Sequence, residues 1–482
     1  MKYYLRLLLI LMVLVNPAFI FAQVQEPSAH AQEVIYSMSK GDFQIVVDQF
    51  DDTMKKAISL DKLQQLWQGI VVQCGPLKRQ GLTATKKAKQ AGREYDVTVT
   101  TCEFEKTALD IQLSFDSSGK IAGLYFKASQ SQVTPPKRPQ IPLKPYPYDE
   151  KEVTYENTKT GVKLAGTLTL PRGMGKFPAA LLISGSGQQD RDETIMGHKP
   201  FLILADYLTR RGIAVLRVDD QGEGGSTGDP ATATSEDFAV DVLAGIEFLK
   251  KQSKINAQKI GLIGHSEGGI IAPMAALKSK NVAFIVLMAS PGLPGDQVLA
   301  TQLAAALKAA GKSAAAIASR QELQTSIFAV VKQEKDNAVA EGKLRDILNK
   351  YLGSLSGEEK KQLGDPEAFI KQQIQTVLLP WMRFYLSYDP RPALRKVKCP
   401  VLAINGAKDF QVIPKENLAA IRDALKQGGN PDFQTKELPG LNHLLQTCQT
   451  GLPDEYYKIK ETIAPIALKT IGDWIVAHTK TK

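Results

Sequence analysis

Residues 258–272 read Gln-Lys-Ile-Gly-Leu-Ile-Gly-His-Ser-Glu-Gly-Gly-Ile-Ile-Ala, and they restrict the possible folds more than any other stretch of the 482-residue chain. Residues 260–263 are a short apolar run without charge, the pattern of a strand buried on both faces. Residues 268–277 are small and apolar and read as a helix. Between them, Gly264-His265-Ser266-Glu267-Gly268 fits Gly-x-Ser-x-Gly, a strand-to-helix turn so sharp that its central residue is forced into an uncommon backbone conformation. Glycines two before and two after that residue avoid colliding with it, and the serine hydroxyl is held out above the sheet. The bare pattern is a weak signal; the strand before it and the helix after it give it meaning.

A chain of this length exceeds one ordinary core and predicts two or three domains. Its 43% hydrophobic and 23% charged residues are those of a globular protein. The formal charge of +10 comes from 60 basic and 50 acidic residues; part of it sits near the N-terminus and the other lysines are scattered, so it reads as a solvated basic surface and not a nucleic-acid site. Lys2 and Arg6, an apolar run over residues 7–15, Asn16-Pro17 and the small Ala22 read as a secretory signal peptide over residues 1–22, cut near Ala22-Gln23. The run is short for a membrane span, so no stable membrane insertion is expected after cleavage; an uncleaved anchor is the alternative. A periplasmic or secreted location follows. In that oxidising setting Cys74 and Cys102 are candidates for a disulfide in the first module, while Cys399 and Cys448 fit a second bond or free buried thiols equally.

Residues 30–129 form the first module. Apolar residues at helical spacing over 33–40 and 43–58, and a helix start at Asp61, precede alternating runs around Val97, Ile111 and Leu124, with Asp116-Ser117-Ser118-Gly119 as a turn. Helices first and an antiparallel sheet afterwards predict a small α+β domain. Residues 130–150 hold six prolines without periodicity and read as a stiff linker. From Val153 a hairpin opens a second module over residues 151–482, in which apolar strands at 179–183, 213–218, 260–263, 283–288, 401–404 and 435–438 alternate with amphipathic helices. Such alternation predicts a mostly parallel sheet flanked by helices, with its site at the carboxyl ends of the strands. Residues 293–395 break the rhythm with several helical segments and read as a helical cap inserted above the sheet.

A serine hydroxyl needs a base to take its proton, and the base needs a partner to fix its tautomer. In this topology the order is Ser, then Asp or Glu, then His. Of the five histidines, His30 precedes the fold, His198 and His265 precede the nucleophile, and His478 lies in the terminal helical tail. That leaves His443, directly after the last strand. The acid should end the preceding strand, which runs into Asn405-Gly406-Ala407-Lys408-Asp409 and points to Asp409. Oxyanion donors are expected from the backbone N–H of Glu267 and from the turn Ser184-Gly185-Ser186-Gly187, with Ser186 favoured and Gly187 the alternative.

Two resemblances follow. Gly41-Asp42-Phe43, Trp67 and Ile121-Ala122-Gly123-Leu124-Tyr125-Phe126 resemble the small DUF3887-type domain that precedes some secreted bacterial hydrolases. The run from Ser184 to Glu193, Arg217-Val218-Asp219-Asp220-Gln221-Gly222, Gly264 to Gly269, Gly406 to Asp409 and His443 together resemble the α/β-hydrolase superfamily. They are most similar to secreted bacterial esterases with a Gly-Ser-Gly-x-x-Asp-Arg-Asp motif, near the prolyl oligopeptidase and serine aminopeptidase branches. The resemblance implies an α/β-hydrolase fold and hydrolysis of small or medium acyl esters, with Ser266 attacking, His443 carrying the proton and Asp409 orienting it. Asp190 and Arg191 are expected to pair and hold the oxyanion loop. Where many relatives have Asp-x-Arg-Gly, this chain has Asp219-Asp220-Gln221-Gly222, so no basic residue takes that place here. Neither metal nor organic cofactor is implied. The competing readings are a serine peptidase of the same fold and, from another class, a non-catalytic envelope-binding protein; an acyl-CoA thioesterase is disfavoured because the leader removes the chain from cytosolic CoA.

Overall fold

The computed structural model of the protein describes residues 27–480 except 91–92, 130–137, 358, 361–364 and 457. The expected leader, its expected cleavage position and Pro135-Pro136 lie outside the described residues.

The first module has helices Pro27–Lys40, Phe43–Asp48, Asp52–Ala57 and Leu60–Cys74, followed by an antiparallel sheet of β1 (Leu77–Gln90), β2 (Arg93–Phe104), β3 (Ala108–Phe115) and β4 (Ile121–Ala128) in that order. The helical pattern expected over 43–58 is broken at Asp51, whose carboxylate accepts the N–H of Met54 at 2.7 Å and starts a new helix. Ser59, not Asp61, caps the next one. In the expected turn Asp116 accepts the N–H groups of Ser118 and Lys120, each at 2.9 Å, and Gly119 takes φ +77°. Phe50, Ile111, Leu113, Phe115 and Ile121 fill a core between helices and sheet, which also contains Cys74 and Cys102. No disulfide joins those two; all four cysteines are free thiols, and burial pushes the Cys102 thiol up to about 12.

The described part of the linker is strapped to the second module. Arg138 donates to the carbonyls of Ile459 at 2.8 Å and Met196 at 3.1 Å, and Gln140 to that of Ile463 at 2.7 Å.

The second module is an eight-stranded sheet of β5 (Tyr148–Glu156), β6 (Lys163–Pro171), β7 (Phe177–Ile183), β8 (Ala214–Val218), β9 (Ile255–His265), β10 (Val282–Met288), β11 (Val401–Gly406) and β12 (Phe433–Leu438). The spatial order is β12-β11-β10-β9-β7-β8-β6-β5, with β6 antiparallel to both its neighbours and the strands from β8 to β12 parallel. Crossovers from β7 to β8 and back to β9 put a reversal of strand order beside β9, where ligands bind in such sheets. Helices Pro200–Thr209 and Pro465–Thr479 cover one face. Helices Ser235–Lys250, Gly268–Lys278 and Pro414–Gln427 cover the other. The layout is that of an α/β-hydrolase.

Between β10 and β11 lie helices Gly295–Ala309, Ala314–Gln333, Asn337–Ser354, Pro366–Val377, Pro380–Ser387 and Arg391–Lys396. The last two, short and started by proline, are not expected from periodicity. Their Met382, Tyr385, Leu386 and Leu394 are buried in the same apolar cluster as Leu262 and Ile271, so the insertion shares one core with the sheet. Among the described residues no helix is long and apolar enough to cross a membrane.

The join between β9 and helix Gly268–Lys278 has no room for side chains. A Cβ on Gly264 would stand 2.1 Å from the carbonyl oxygen of Gly268, and one on Gly268 would stand 2.2 Å from that of Ile183 on β7. Because both obstacles are backbone, relief would require the sheet itself to shift. Gly268→Ala is therefore expected to cost about 3 kcal/mol or more in chemical denaturation, or to leave no soluble protein. Stability equal to the parent would contradict this packing.

Candidate active site

Ser266 sits at the tip of this join with φ +51°, a left-handed conformation that costs a non-glycine residue about 1–3 kcal/mol. It is held there by its N–H, which donates to Met288 on β10 at 2.8 Å, and by Gly269, which donates to the Ser266 carbonyl at 2.9 Å. A Cβ on Gly269 would stand 2.1 Å from the Ser290 hydroxyl, so the second glycine lets the helix lie against the end of β10. Ser266 remains half-exposed while His265 and Glu267 beside it are buried.

The structure brings Asp409 and His443 together. Asp409 Oδ2 meets His443 Nδ1 at 2.7 Å, and Asp409 Oδ1 accepts the N–H groups of Gln411 at 2.8 Å and Val412 at 3.0 Å. With the carboxylate accepting, Nδ1 carries the hydrogen and Nε2 is left with a lone pair. Gly406 makes the approach possible: a Cβ there would stand 2.2 Å from the carbonyl of Leu441 and 2.5 Å from that of Asn442. Lys408 N–H donates to Leu441 at 2.9 Å, and Asn442, fully buried, is clamped to Gln446 through both backbone and side chain. The His443 ring lies 4.9 Å from that of His265, the residue preceding Ser266.

The loop after β7 is laced by carboxylates. Ser184 Oγ donates to Asp220 Oδ1 at 2.7 Å, Gln189 N–H to Asp220 Oδ2 at 2.9 Å, and Gly185 N–H to Glu193 Oε1 at 2.8 Å. Burial pushes the Asp220 carboxyl far above its ordinary range, and the Ser184 hydroxyl only partly offsets it. The expected pairing of Asp190 with Arg191 is not made. Arg191 instead forks onto Asp219, with Nε at 3.0 Å from Oδ1 and Nη2 at 2.7 Å from Oδ2, and also reaches Glu152. Burial would raise the Asp219 carboxyl, but the Arg191 fork and the N–H groups of Gly225 and Arg191 bring it below the ordinary value. Asp190 accepts the N–H groups of Asp192 and Thr194 within its own turn. The basic residue missing after β8 is thus supplied from the loop after β7.

Of the expected oxyanion donors, the N–H groups of Ser186 and Glu267 have no acceptor among the described residues, whereas that of Gly185 is occupied by Glu193. Glu267 carries a feature the sequence did not announce: its side chain accepts from Ser235 Oγ at 2.6 Å and from the indole of Trp381, on an inserted helix, at 2.8 Å. Burial pushes its carboxyl up, opposed in part by Ser235, Trp381 and the Ser186 hydroxyl. Trp381 stacks on Tyr385 with centroids 5.1 Å apart, so the insertion touches the residue next to Ser266 through an ordered aromatic pair. Glu193 and His265 lie inside the motifs Ser184 to Glu193 and Gly264 to Gly268, and only the fold brings them together, with Glu193 Oε1 and His265 Nδ1 2.8 Å apart.

With this geometry in view, comparison with known proteins places the chain. Residues 160–436 match the family model described as X-Pro dipeptidyl-peptidase (S15 family), and the chain belongs to that family of α/β-hydrolases. The match ends before His443. Residues 31–124 match a protein family of unknown function, DUF3887. Esterase EstD of Thermotoga maritima is 26% identical over 446 residues, which cover 92% of this chain and 93% of that protein. An uncharacterised 31.7 kDa Escherichia coli protein from the traX-finO intergenic region is 26% identical over 298 residues, 60% of this chain and 88% of its own length. Among solved structures, the α/β-hydrolase GrgF from Penicillium sp. sh18 gives a TM-score of 0.42 at 17% identity, over 68% of this chain and 99% of that one. Est1E from Butyrivibrio proteoclasticus gives 0.37 at 15%, over 68% and 98%. The protein is a hydrolase.

Asp409→Asn would keep the shape of the contact but present an amide to His443 Nδ1 and favour the wrong tautomer. It is expected to slow covalent labelling of the protein by a fluorophosphonate about 10³-fold or more. Labelling at the parent rate would show that Asp409 does not act through His443.

Proposed function

We propose that this protein is an exported serine carboxylesterase that hydrolyses small or medium acyl esters through an acyl-enzyme, with Ser266, His443 and Asp409 as its triad. The observation that carries the reading is the 2.7 Å bond between Asp409 and His443 at the same carboxyl end of the parallel strands as a serine held at φ +51°. In this mechanism Ser266 Oγ attacks the ester carbonyl while His443 Nε2 takes its proton. The N–H groups of Glu267 and Ser186 stabilise the oxyanion, worth about 3–4 kcal/mol per donor in such sites. His443 then protonates the departing alkoxide, and water enters by the reverse steps to release the acid. Similarity to Esterase EstD along nearly its whole length supports the ester class. The inserted helices act as a cap that limits water and shapes the acyl pocket, with Trp381 reaching from it to the side chain of Glu267, beside the nucleophile.

Membership of the X-Pro dipeptidyl-peptidase family favours a second reading, cleavage of peptides. A peptidase that trims from a free amino terminus needs a carboxylate available for the ammonium group. Here each carboxylate around the turn and the oxyanion loop already holds a group of the protein, Glu193 through Oε1 to Gly185 and His265, Glu267 through Oε1 to Ser235 and Trp381, Asp219 to Arg191 and Asp220 to Ser184, and the second oxygens of Glu193 and Glu267 are buried. That supports esters over peptides. Export rests on the leader at residues 1–22.

The test is steady-state hydrolysis of p-nitrophenyl esters of increasing chain length and of an aminoacyl-proline amide, by protein recovered from the periplasm or medium, beside Ser266→Ala. Ester turnover is expected to exceed amide turnover and to fall at least 10³-fold in Ser266→Ala, with a mature terminus near Gln23. Preference for the amide would establish the peptidase, and protein retained whole in the cytosol would overturn export.

A further inference from the structure

Glu193 is 1% exposed, and one of its carboxyl oxygens serves two elements. Oε1 accepts the N–H of Gly185 at 2.8 Å and meets His265 Nδ1 at 2.8 Å. The other ring nitrogen, His265 Nε2, meets the main-chain carbonyl of His443 at 3.1 Å. A carbonyl only accepts, so Nε2 carries a hydrogen, and a second proton must then lie in the contact between Nδ1 and Oε1. The result is a continuous bridge from Gly185, through Glu193 and His265, to the backbone of His443. It spans the loop after β7, the end of β9 and the loop after β12, which are the three segments that carry the oxyanion turn, the nucleophile and the base.

Two further observations indicate that the bridge is built and not incidental. Glu193 has φ +51°, which is unfavourable for a residue with a side chain, and it is kept there by its N–H to Asp190 at 2.9 Å and by the Asp190 carboxylate that accepts from Asp192 and Thr194. The cost is met in a segment whose side chain does nothing else than join Gly185 to His265. Moreover, with the Gly185 N–H turned toward Glu193, the next N–H group of the turn, that of Ser186, is left without a protein acceptor among the described residues. Burial disfavours charge on His265, but Glu193, the His443 carbonyl and Asp409 outweigh it and hold the ring more readily protonated than an ordinary histidine.

We propose that Glu193 and His265 are positioning residues for ester hydrolysis: their bridge sets the spacing between the Ser186 oxyanion donor and the His443 imidazole on either side of Ser266. This rests on the esterase reading above. Neither side chain touches the substrate. Both act through the backbone they hold, so their loss should damage the transition state and spare ground-state binding.

The experiment compares full-length mature protein with Glu193→Ala, Glu193→Gln, His265→Gln and the Glu193→Ala/His265→Gln double variant, using a p-nitrophenyl ester, with Ser266→Ala alongside and the Tm of each recorded. In Glu193→Gln an amide oxygen still accepts from Gly185 while the charge is gone. Glu193→Ala is expected to lower kcat by about 10²-fold with KM within about threefold, and Glu193→Gln to recover about tenfold of that loss. His265→Gln should fall by a similar factor, and the double variant should be little worse than Glu193→Ala, because the residues act as one unit. If Glu193→Ala does not fold, Glu193→Gln and His265→Gln carry the test, each expected to lower kcat with KM retained. Unchanged kcat in the variants, a loss confined to KM, or losses that follow Tm without recovery in Glu193→Gln would overturn the bridge. Parent enzyme without ester turnover, or turnover that survives Ser266→Ala, would instead overturn the esterase reading itself.

Discussion

The structure depends on one close approach: backbone against backbone where β9 turns into helix Gly268–Lys278. Gly264 and Gly268 lie too near the carbonyls of Gly268 and Ile183 to carry a Cβ. Ser266 between them is therefore held left-handed at the carboxyl end of β9, tied by its N–H to Met288 on the neighbouring strand. The strain is sustained by the sheet, whose central strands are buried on both faces and cannot shift to relieve it. A similar approach at Gly406 brings the turn after β11 against the turn after β12, and it leaves Asp409 and His443 at 2.7 Å. Two steric constraints, at the ends of β9 and β11 on either side of β10, thus fix Ser266 and the Asp409–His443 pair at the carboxyl ends of the strands.

Around this rigid centre the polar groups are arranged with little slack. The turn after β7 is held by carboxylates from both sides, Asp220 and Glu193, while Arg191 neutralises Asp219 at the base of the loop. The inserted helices share the apolar core of one sheet face and reach the residue beside Ser266 through the Trp381 indole. The two buried carboxylates beside the turn are each held through one oxygen: Glu267 Oε1 accepts from Ser235 and Trp381, and Glu193 Oε1 from Gly185 while facing the His265 imidazole, whereas Oε2 of each is buried without a hydrogen-bond partner among the described residues. In a low-dielectric site such pre-orientation lets a backbone N–H act without reorganisation as charge develops.

Much of this was legible from the chain. The parallel sheet announced itself because strands buried on both faces must be apolar throughout, and the meeting of Asp409 with His443 because few histidines exist and strand order leaves one of them free. What could not be read were choices made in three dimensions. β1, with the run Thr-Ala-Thr-Lys-Lys-Ala-Lys, has no alternation because it is an edge strand paired only with β2. Arg191 selects Asp219, 28 positions away, over its neighbour Asp190, a decision set by how β8 lies beside β7. His265 precedes Ser266, so chain order gives it no role as a base; in the fold it meets Glu193 and the His443 carbonyl. The short helices Pro380–Ser387 and Arg391–Lys396 are too brief for a periodic signal, yet one of them supplies Trp381.

The central claim is that Ser266 carries the acyl group during turnover. It is tested most directly by acid-quenching the enzyme during hydrolysis of a p-nitrophenyl ester and weighing its peptides. The account predicts one acyl group per chain, on the peptide containing Ser266, and none in Ser266→Ala. Acylation at another residue, or turnover without any acylated peptide under conditions where deacylation limits the rate, would contradict it.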